Sequence, residues 1–371
     1  MDKKNKVREP LFHVAKRGSM PLWNSLAIRI GTIIFAVLLC GLLVAVVMDR
    51  NPADFYSALF KGSFGSSRKV WKLAKDIAVL LCISLAVTPA FRMKFWNIGA
   101  EGQVLMGALA SVACMYYLKD TVPTPLLILF MFVASVAAGI VWSLIPALFK
   151  VKWNTNETLF TLMMNYVATY TVAFFLIKWT PDGSSSLGAL PYGHLPQLMD
   201  NEYLLLIIVV LLLTAGMYIY LNFSKHGYEI SVVGESENTA RYIGINVKKV
   251  VIRTMIVSGA VCGLAGFLIV GALDHSVTIN TVGGLGFTAI MVSWLAKFNP
   301  ITMVGTTFII TFLDQGASQV SQNFNISDAF PKVVVGIILF FIIGCEFFIN
   351  YKVVRCSKEN TKVNEKEAGI K

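Results

Sequence analysis

The chain has little charge. Asp, Glu, Lys and Arg make up 14% of its 371 residues, against 56% for apolar types counted widely. Soluble domains carry roughly 25% charged and 45–50% apolar residues, so a freely soluble globule is excluded, and a mean hydropathy of +0.67 points into a membrane. The motifs of covalent chemistry are missing as well: there is no G-x-x-x-x-G-K-[ST] phosphate loop, no G-x-S-x-G and no H-E-x-x-H. No catalytic residue is therefore assigned, and if transport is active its energy has to come from elsewhere. The four histidines, His13, His194, His226 and His275, lie too far apart for a metal-ligand cluster of local spacing. Of the six cysteines (Cys40, Cys82, Cys114, Cys262, Cys345 and Cys356), none shares CxxC spacing and all but the last sit in apolar runs, as small packing groups do.

Apolar length is what the chain has in abundance. Runs near or above the roughly 20 residues that span a bilayer occur at about 27–48, 98–117, 124–148, 158–178, 203–222, 250–273 and 332–350. Three more, at about 76–91, 286–296 and 300–313, are shorter or broken. Together they predict an all-α polytopic membrane protein of about ten transmembrane helices. Some 26 mostly polar residues precede the first run, which lacks a clear cleavage signature and reads as a retained span. Three regions follow: a cytoplasmic N-terminal segment at 1–26, a transmembrane domain at 27–350 and a polar, disordered cytoplasmic tail at 351–371.

The net charge of +11 raises the question of nucleic acid, and its distribution answers it. If the N-terminus is cytoplasmic and ten spans alternate, the inner segments hold 23 of the 32 Lys and Arg residues and the outer ones nine. That bias is the positive-inside pattern, with both termini inside and no nucleic-acid role. Segment 50–76 is the exception. Its RKVWKLAK carries Arg68, Lys69, Lys72 and Lys75 around Val70, Trp71 and Leu73, read as an amphipathic surface helix leading into the second span; a topology error there is the alternative.

Ten spans divide five and five, and an odd number per half predicts two inverted five-helix halves. The third span opens from the inside with NIGAEGQ and the eighth from the outside with VGGLGF, a pairing that marks the midplane path of transporters, although glycine is common in membrane helices. Within the first element Asn97 is placed to cap the helix with its side-chain oxygen. Glu101 is either an anchor favoured by the helix dipole or an acid that lines a polar path. Asn165, in mid-span, is either glue between helices or path lining. Gly259 and Gly263 at GxxxG spacing, with Gly266 nearby, indicate tight packing. Asp274 and His275, with Asp314 and Gln315, fall at the outer interface, as ordinary interface groups or as a polar ring at the outer mouth.

Three loops are long. Segment 179–202 is Pro- and Ser-rich and is expected on the outer face. Segment 223–249 is the longest inner polar stretch, with short helical pieces broken by Gly227, Gly234 and Gly244. Its apolar Tyr228, Ile230, Val232, Val233, Tyr242 and Ile243 among charges suggest a docking surface.

Several segments taken together, NPADFYSALFKGSFGS (51–66), FRMKFWNIGAEGQVLMGALAS (91–111), NETLFTLMMNYVA (156–168), GYEISVVGESENTARYIGINVKKV (227–250) and GGLGFTAIMVSWLAKFNP (283–300), resemble the permease subunits of bacterial ABC importers in the branched-chain amino acid and simple sugar permease group. The likeness covers roughly residues 25–350 in order, and the NIGAEGQ and NE…MNY elements look most like the nucleoside-importer permeases. The resemblance implies a permease without an ATPase site of its own, multi-pass in the bacterial cytoplasmic membrane. It implies a second homologous permease in a heterodimer, a cytoplasmic ATPase that binds ATP and Mg, and an extracellular lipoprotein that delivers substrate; no cofactor or metal belongs to this chain.

The resemblance also assigns Gly234, Glu235, Ala240, Arg241 and Gly244 to ATPase coupling. Ser236 and Glu237 depart from the commoner Asn-Pro there, which leaves the choice of ATPase open. It favours path lining for Asn97, Glu101, Gln103 and Asn165, whose groups suit the ring edges and ribose hydroxyls of a nucleoside, and stacking for Phe95, Trp96 and Phe287. The alternatives are the same machine carrying ribose, galactose or a branched-chain amino acid, or an ion-coupled secondary transporter.

Overall fold

The computed structural model describes residues 12–16, 22–48, 51–119, 121–180, 187–199, 201–327 and 329–355. A short strand β1 (Phe12–Lys16) precedes α1 (Leu22–Met48), α2 (Pro52–Phe64), α3 (Ser67–Arg92), α4 (Ala100–Leu118), α5 (Thr124–Trp153), α6 (Glu157–Trp179) and α7 (Leu204–Phe223). Two short helices, α8 (Lys225–Glu235) and α9 (Glu237–Tyr242), lead to α10 (Val247–Ile269), which ends in a π turn (Val270–Asp274). Then come α11 (Leu285–Leu295), α12 (Pro300–Phe324), α13 (Phe330–Asn350) and β2 (Tyr351–Arg355).

The described residues are helical apart from loops and the two five-residue strands, and seven helices are long and apolar enough to cross a membrane: α1, α3, α5, α6, α7, α10 with its π turn, and α13. Polar groups dilute the others: Glu101 and Gln103 in α4, and Asp314, Gln315 and Gln319 in α12. Helix α11 has only 11 residues. RKVWKLAK is not a separate surface helix. It forms the first turns of a continuous α3, capped by the Ser66 hydroxyl on the Lys69 N–H at 3.4 Å.

The chain divides into two compact units, residues 1–62 with 313–371, and residues 63–312. In the first, α1 packs along α13, with Phe35 edge-on to Phe341 at 5.3 Å. Strands β1 and β2 pair antiparallel from Phe12 opposite Arg355 to Lys16 opposite Tyr351. The 351–371 tail therefore begins as strand; the disorder expected of it concerns residues 356–371, outside the described residues, as does most of segment 1–26.

In the second unit α10 is central and packs on α5, α4 and α3. Lipid provides no hydrophobic force between helices, so close van der Waals contact and interhelical hydrogen bonds must hold them. The residues are suited to that. A Cβ on Gly139 of α5 would lie 2.8 Å from the Gly263 nitrogen, and one on Gly266 of α10 would lie 2.5 Å from the Ala108 nitrogen of α4. Ser135 of α5 donates to the Gly263 carbonyl at 2.6 Å and to the Gly107 carbonyl at 2.9 Å, and Ser143 donates to the Met255 carbonyl at 2.8 Å. The GxxxG reading of Gly259 and Gly263 is thus a packing seam, whose partners are Gly107 on α4 and Ser135, Gly139 and Ser143 on α5, the last three themselves at small-xxx-small spacing.

Loop residues 187–199 lie against the end of α10: the Leu195 N–H donates to the Gly271 carbonyl and the Leu190 N–H to the His275 carbonyl, both at 2.9 Å. His194 and His275, distant in sequence, stack with ring centroids 3.7 Å apart.

Gly139→Ala and Gly263→Ala should each lower stability by about 1–3 kcal/mol through overpacking. Gly216→Ala, where a Cβ meets nothing within 4 Å, should not. Thermal unfolding of the detergent-purified chain measures the difference; equal melting points for all three would refute the seam.

Candidate functional site at two broken helices

The site starts from two helix ends built alike. At the end of α3 the Lys94 N–H donates to the Phe91 carbonyl and the Phe95 N–H to the Ala90 carbonyl, both at 2.9 Å. At the end of α11 the Lys297 N–H donates to the Trp294 carbonyl at 3.0 Å and the Phe298 N–H to the Ser293 carbonyl at 2.9 Å. These are paired Schellman closures. After the first, the chain runs without helix to α4, and it does so beside α11: Trp96 meets Trp294 at 5.4 Å between ring centroids, and further along Glu101 meets the start of α11.

That second meeting joins the two polar elements. The Glu101 carboxylate accepts from the Gly284 N–H through Oε1 and from the Gly286 N–H through Oε2, each at 2.8 Å. It occupies the positive end of α11, where backbone N–H groups have no helical partner. The glycines are required for distinct reasons. Gly283 (φ 61°) and Gly284 (φ 86°) take left-handed backbone, open to glycine at no steric cost. Gly286 permits close approach, since a Cβ there would lie 2.6 Å from the Glu101 nitrogen. NIGAEGQ and VGGLGF, read as openings from opposite sides, meet at one place. At 1.5 Å per residue α11 is about 16 Å long, half the roughly 30 Å of a bilayer core, so one end sits by Lys94 and the other at the depth of Glu101.

The amide side chains lie behind this junction. Asn97 and Gln103 are buried and bond reciprocally, Gln103 Nε2 to Asn97 Oδ1 at 3.2 Å and Asn97 Nδ2 to Gln103 Oε1 at 3.4 Å. Asn97 Oδ1 also accepts from the Gly99 N–H at 3.1 Å. This differs from the expected cap: the N–H taken belongs to the residue before the helix, because two residues is the reach of an Asx turn, and Gly99 is the N-cap. Asn165 on α6 is also buried; its Oδ1 accepts from the Gly102 N–H and its Nδ2 donates to the Ile98 carbonyl, both at 2.9 Å. Thr161 on the same helix accepts from the Ile98 N–H at 3.1 Å. Asn97, Asn165 and Thr161 thereby take up backbone groups of residues 98–102 that no helix ladder satisfies.

Of the residues expected to line a path, Phe95 is buried, whereas Trp96 and Phe287 are each 42% exposed and Glu101 is half-buried. The Gly284 and Gly286 donors, Thr161, and Ser258, which lies 3.4 Å from Asn97 Nδ2, were not foreseen. The signal for the donors was the GGLG spacing, a left-handed pair followed by a close-approach glycine. Among the described residues no three His, Cys, Asp or Glu side chains cluster to hold a metal.

Against the end of α3, segment 223–249 forms α8 and α9. Gly227 and Gly234 do not break it; both lie inside α8, packed against backbone carbonyls of α7 and of Arg92 respectively. The break is Ser236, which caps α9, and Gly244 (φ 84°) ends it. Gly234 and Ala240 are buried, so they hold the segment in place. Glu235, Glu237, Arg241, Ile243 and Gly244 are exposed, with Tyr242 at 90%. Arg241 pairs with Glu237 at 3.3 Å. At the hinge with α7 the Tyr220 hydroxyl bonds His226 Nδ1; burial lowers the His226 pKa, with Glu229 opposing and Arg253 adding to the fall.

Residues 71–343 match the family described as branched-chain amino acid transport system / permease component. The guanosine ABC transporter permease protein NupP of Bacillus subtilis is 30% identical over 315 residues, 82% of this chain and 89% of that protein. The nucleoside ABC transporter permease protein NupB of Lactococcus lactis is 26% identical over 90% of this chain and 96% of its own. The glucose ABC transporter permease protein TsgB13 of Haloferax volcanii is 26% identical over 91% and 92%.

Glu101→Ala leaves two N–H groups at the start of α11 without their acceptor and should cost about 2–3 kcal/mol, while Glu101→Gln keeps one acceptor and should lose less. Unfolding in nanodiscs separates the two; an unchanged Glu101→Ala would show that the junction contributes nothing.

Proposed function

We propose that this chain, which belongs to the branched-chain amino acid transport permease family, forms one membrane half of an ATP-binding cassette importer for nucleosides. The observation that carries the reading is the likeness to NupP and NupB along most of both chains. The junction adds support: a half-length helix α11 starting at Glu101, with aromatic Trp96 and Phe287 exposed beside it, suits a solute with ring faces. In this reading α4 and α12 also cross the membrane and α11 enters as a half-span, which makes ten with both termini cytoplasmic. Glu101, Trp96 and Phe287 edge the path, and Asn97, Gln103, Asn165 and Phe95 hold that edge from behind.

ATP and Mg belong to a partner ATPase, which docks on the exposed Glu235, Glu237, Arg241, Tyr242 and Ile243. Gly234 sits against the carbonyl of Arg92, the last residue of α3, and the seven residues 93–99 then lead to α4 and Glu101. A displacement of α8 is therefore passed through the end of α3 to the junction. A second, homologous permease completes the membrane part, and a lipoprotein delivers solute on the outer face of a bacterial cytoplasmic membrane.

Uptake of labelled guanosine or uridine should fall to background on deletion of this gene and survive competition by ribose, galactose and leucine. Unaltered nucleoside uptake, or loss of sugar uptake instead, would overturn the substrate assignment; uptake by the purified chain alone, abolished by an ionophore, would overturn the ATP-driven class. For coupling, Tyr242→Ala with Ile243→Asp should reduce co-purified ATPase at least tenfold without affecting membrane insertion. Gly234→Arg, by contrast, should destabilise the chain itself. Wild-type ATPase recovery with the double variant would remove this surface from consideration.

A further inference from the structure

The stacked histidines at the end of α10 have no part in the transport reading. His275 closes the π turn there, its N–H on the Val270 carbonyl at 3.0 Å, and takes left-handed backbone (φ 51°). Loop residues 187–199 rest on that turn at three points. Two are backbone bonds, from the Leu190 N–H to the His275 carbonyl and from the Leu195 N–H to the Gly271 carbonyl. The third is His194, whose ring lies over that of His275 at 3.7 Å with only 7° between the planes. His194 Nε2 also donates to the Leu190 carbonyl at 2.8 Å, so the ring that stacks braces the residue that bonds. Gly193, left-handed at φ 69°, brings this part of the loop onto α5, where a Cβ on it would lie 2.6 Å from Met131 Sδ.

Imidazole nitrogens bind metals, but a metal lies in the plane of the ring that holds it, and two parallel rings face to face do not share one. The stack suits two neutral rings, or one imidazolium over a neutral ring, which is a cation–π contact. Two imidazolium ions at that distance repel. The charged groups nearby are Asp274 beside His275, Lys75 of α3 near Asp274 and itself paired with Asp76 at 3.0 Å, and Glu202 before α7. Burial lowers the His275 pKa and His194 adds to the fall, against opposing pulls from the Val270 carbonyl and Glu202. We infer that residues 187–199 form an acid-released latch, held on the end of α10 by the histidine stack at neutral pH and driven off it when both rings are protonated. Because the closed loop disfavours the His275 proton, its hold is complete above the free imidazole value of about 6.5 and is lost as pH falls through the lowered one. In the importer proposed above the loop faces outward, so acid in the medium rather than in the cytoplasm sets it. The latch itself does not depend on the solute carried.

The test is amide hydrogen exchange on the full-length chain in nanodiscs at about pH 5 and about pH 7.5, on either side of the free imidazole value, corrected for the intrinsic pH dependence of exchange. The Leu190 and Leu195 amides of wild type should lose protection roughly tenfold or more in acid, while amides within α7 keep theirs. His194→Phe leaves a ring over His275 that carries no proton, so the loop should be equally protected at both pH values. His275→Asn removes the stack with a residue that tolerates left-handed backbone, and the loop should be open at both. Equal protection of the wild-type loop in acid and at neutral pH, acid loss that persists in His194→Phe, or acid loss shared by α7 overturns the proposal. So does a rise in loop protection when zinc is added at neutral pH, which would make the pair a metal site.

Discussion

The second structural unit depends on one carboxylate. The first N–H groups of a helix have no partner within it, and those at the start of the 11-residue α11 are turned to a side chain of α4. Glu101 supplies both acceptors, at 2.8 Å each. The same bonds resolve the difficulty of Glu101 itself, since a carboxylate partly withdrawn from water is costly unless hydrogen-bonded. Each group removes the other's penalty, and the result is a fixed crossing point between α4 and α11.

From that point the neighbouring polar residues follow. Because α4 starts irregularly, residues 98–102 have backbone groups outside any helix ladder; Asn97, Asn165 and Thr161 take them up, and Gln103 braces the Asn97 side chain. Buried amides in such a chain suggest a binding surface at first sight, yet here they are turned towards the backbone. Glycine performs the complementary task. Gly102 admits Asn165, Gly286 admits Glu101, and Gly107 and Gly263 let α4 and α10 approach within hydrogen-bonding reach of Ser135 on α5. Polar satisfaction and close approach are thus two parts of a single constraint.

Much of this was legible in the chain, and the remainder had a physical reason to be hidden. The apolar runs locate every long helix, because length and hydropathy are properties of contiguous residues. NIGAEGQ and VGGLGF were recognisable as irregular helix starts from their glycines. That they meet was not, since residues 101 and 284 are brought together only by the packing of α3, α4, α10 and α11. For the same reason Gly234, assigned to coupling by resemblance, proves to be a contact with the end of α3, whereas Tyr242, noted only as one apolar residue among charges, is the exposed one.

In the importer proposed above, a partner docked on α9 would act at a distance. Between the exposed face of α9 and the Glu101 carboxylate lie α8, which rests on backbone at the end of α3, and the seven residues 93–99, held by the Schellman bonds and by Asn97, Thr161 and Asn165. Backbone contacts of this kind transmit displacement poorly by bending and well by moving as a block. Helix α11 is short, started by two left-handed glycines, held to α3 by Ser293 Oγ on the Ser84 carbonyl at 2.9 Å and tied to α4 by Glu101, so it follows α3 more closely than α4. A shift of α3 that alters the distance between Glu101 and Gly284 by a fraction of the hydrogen-bond length therefore has two outcomes, bond kept or bond lost. That discreteness is the property an access switch needs, and a continuous membrane helix in the same position would not have it.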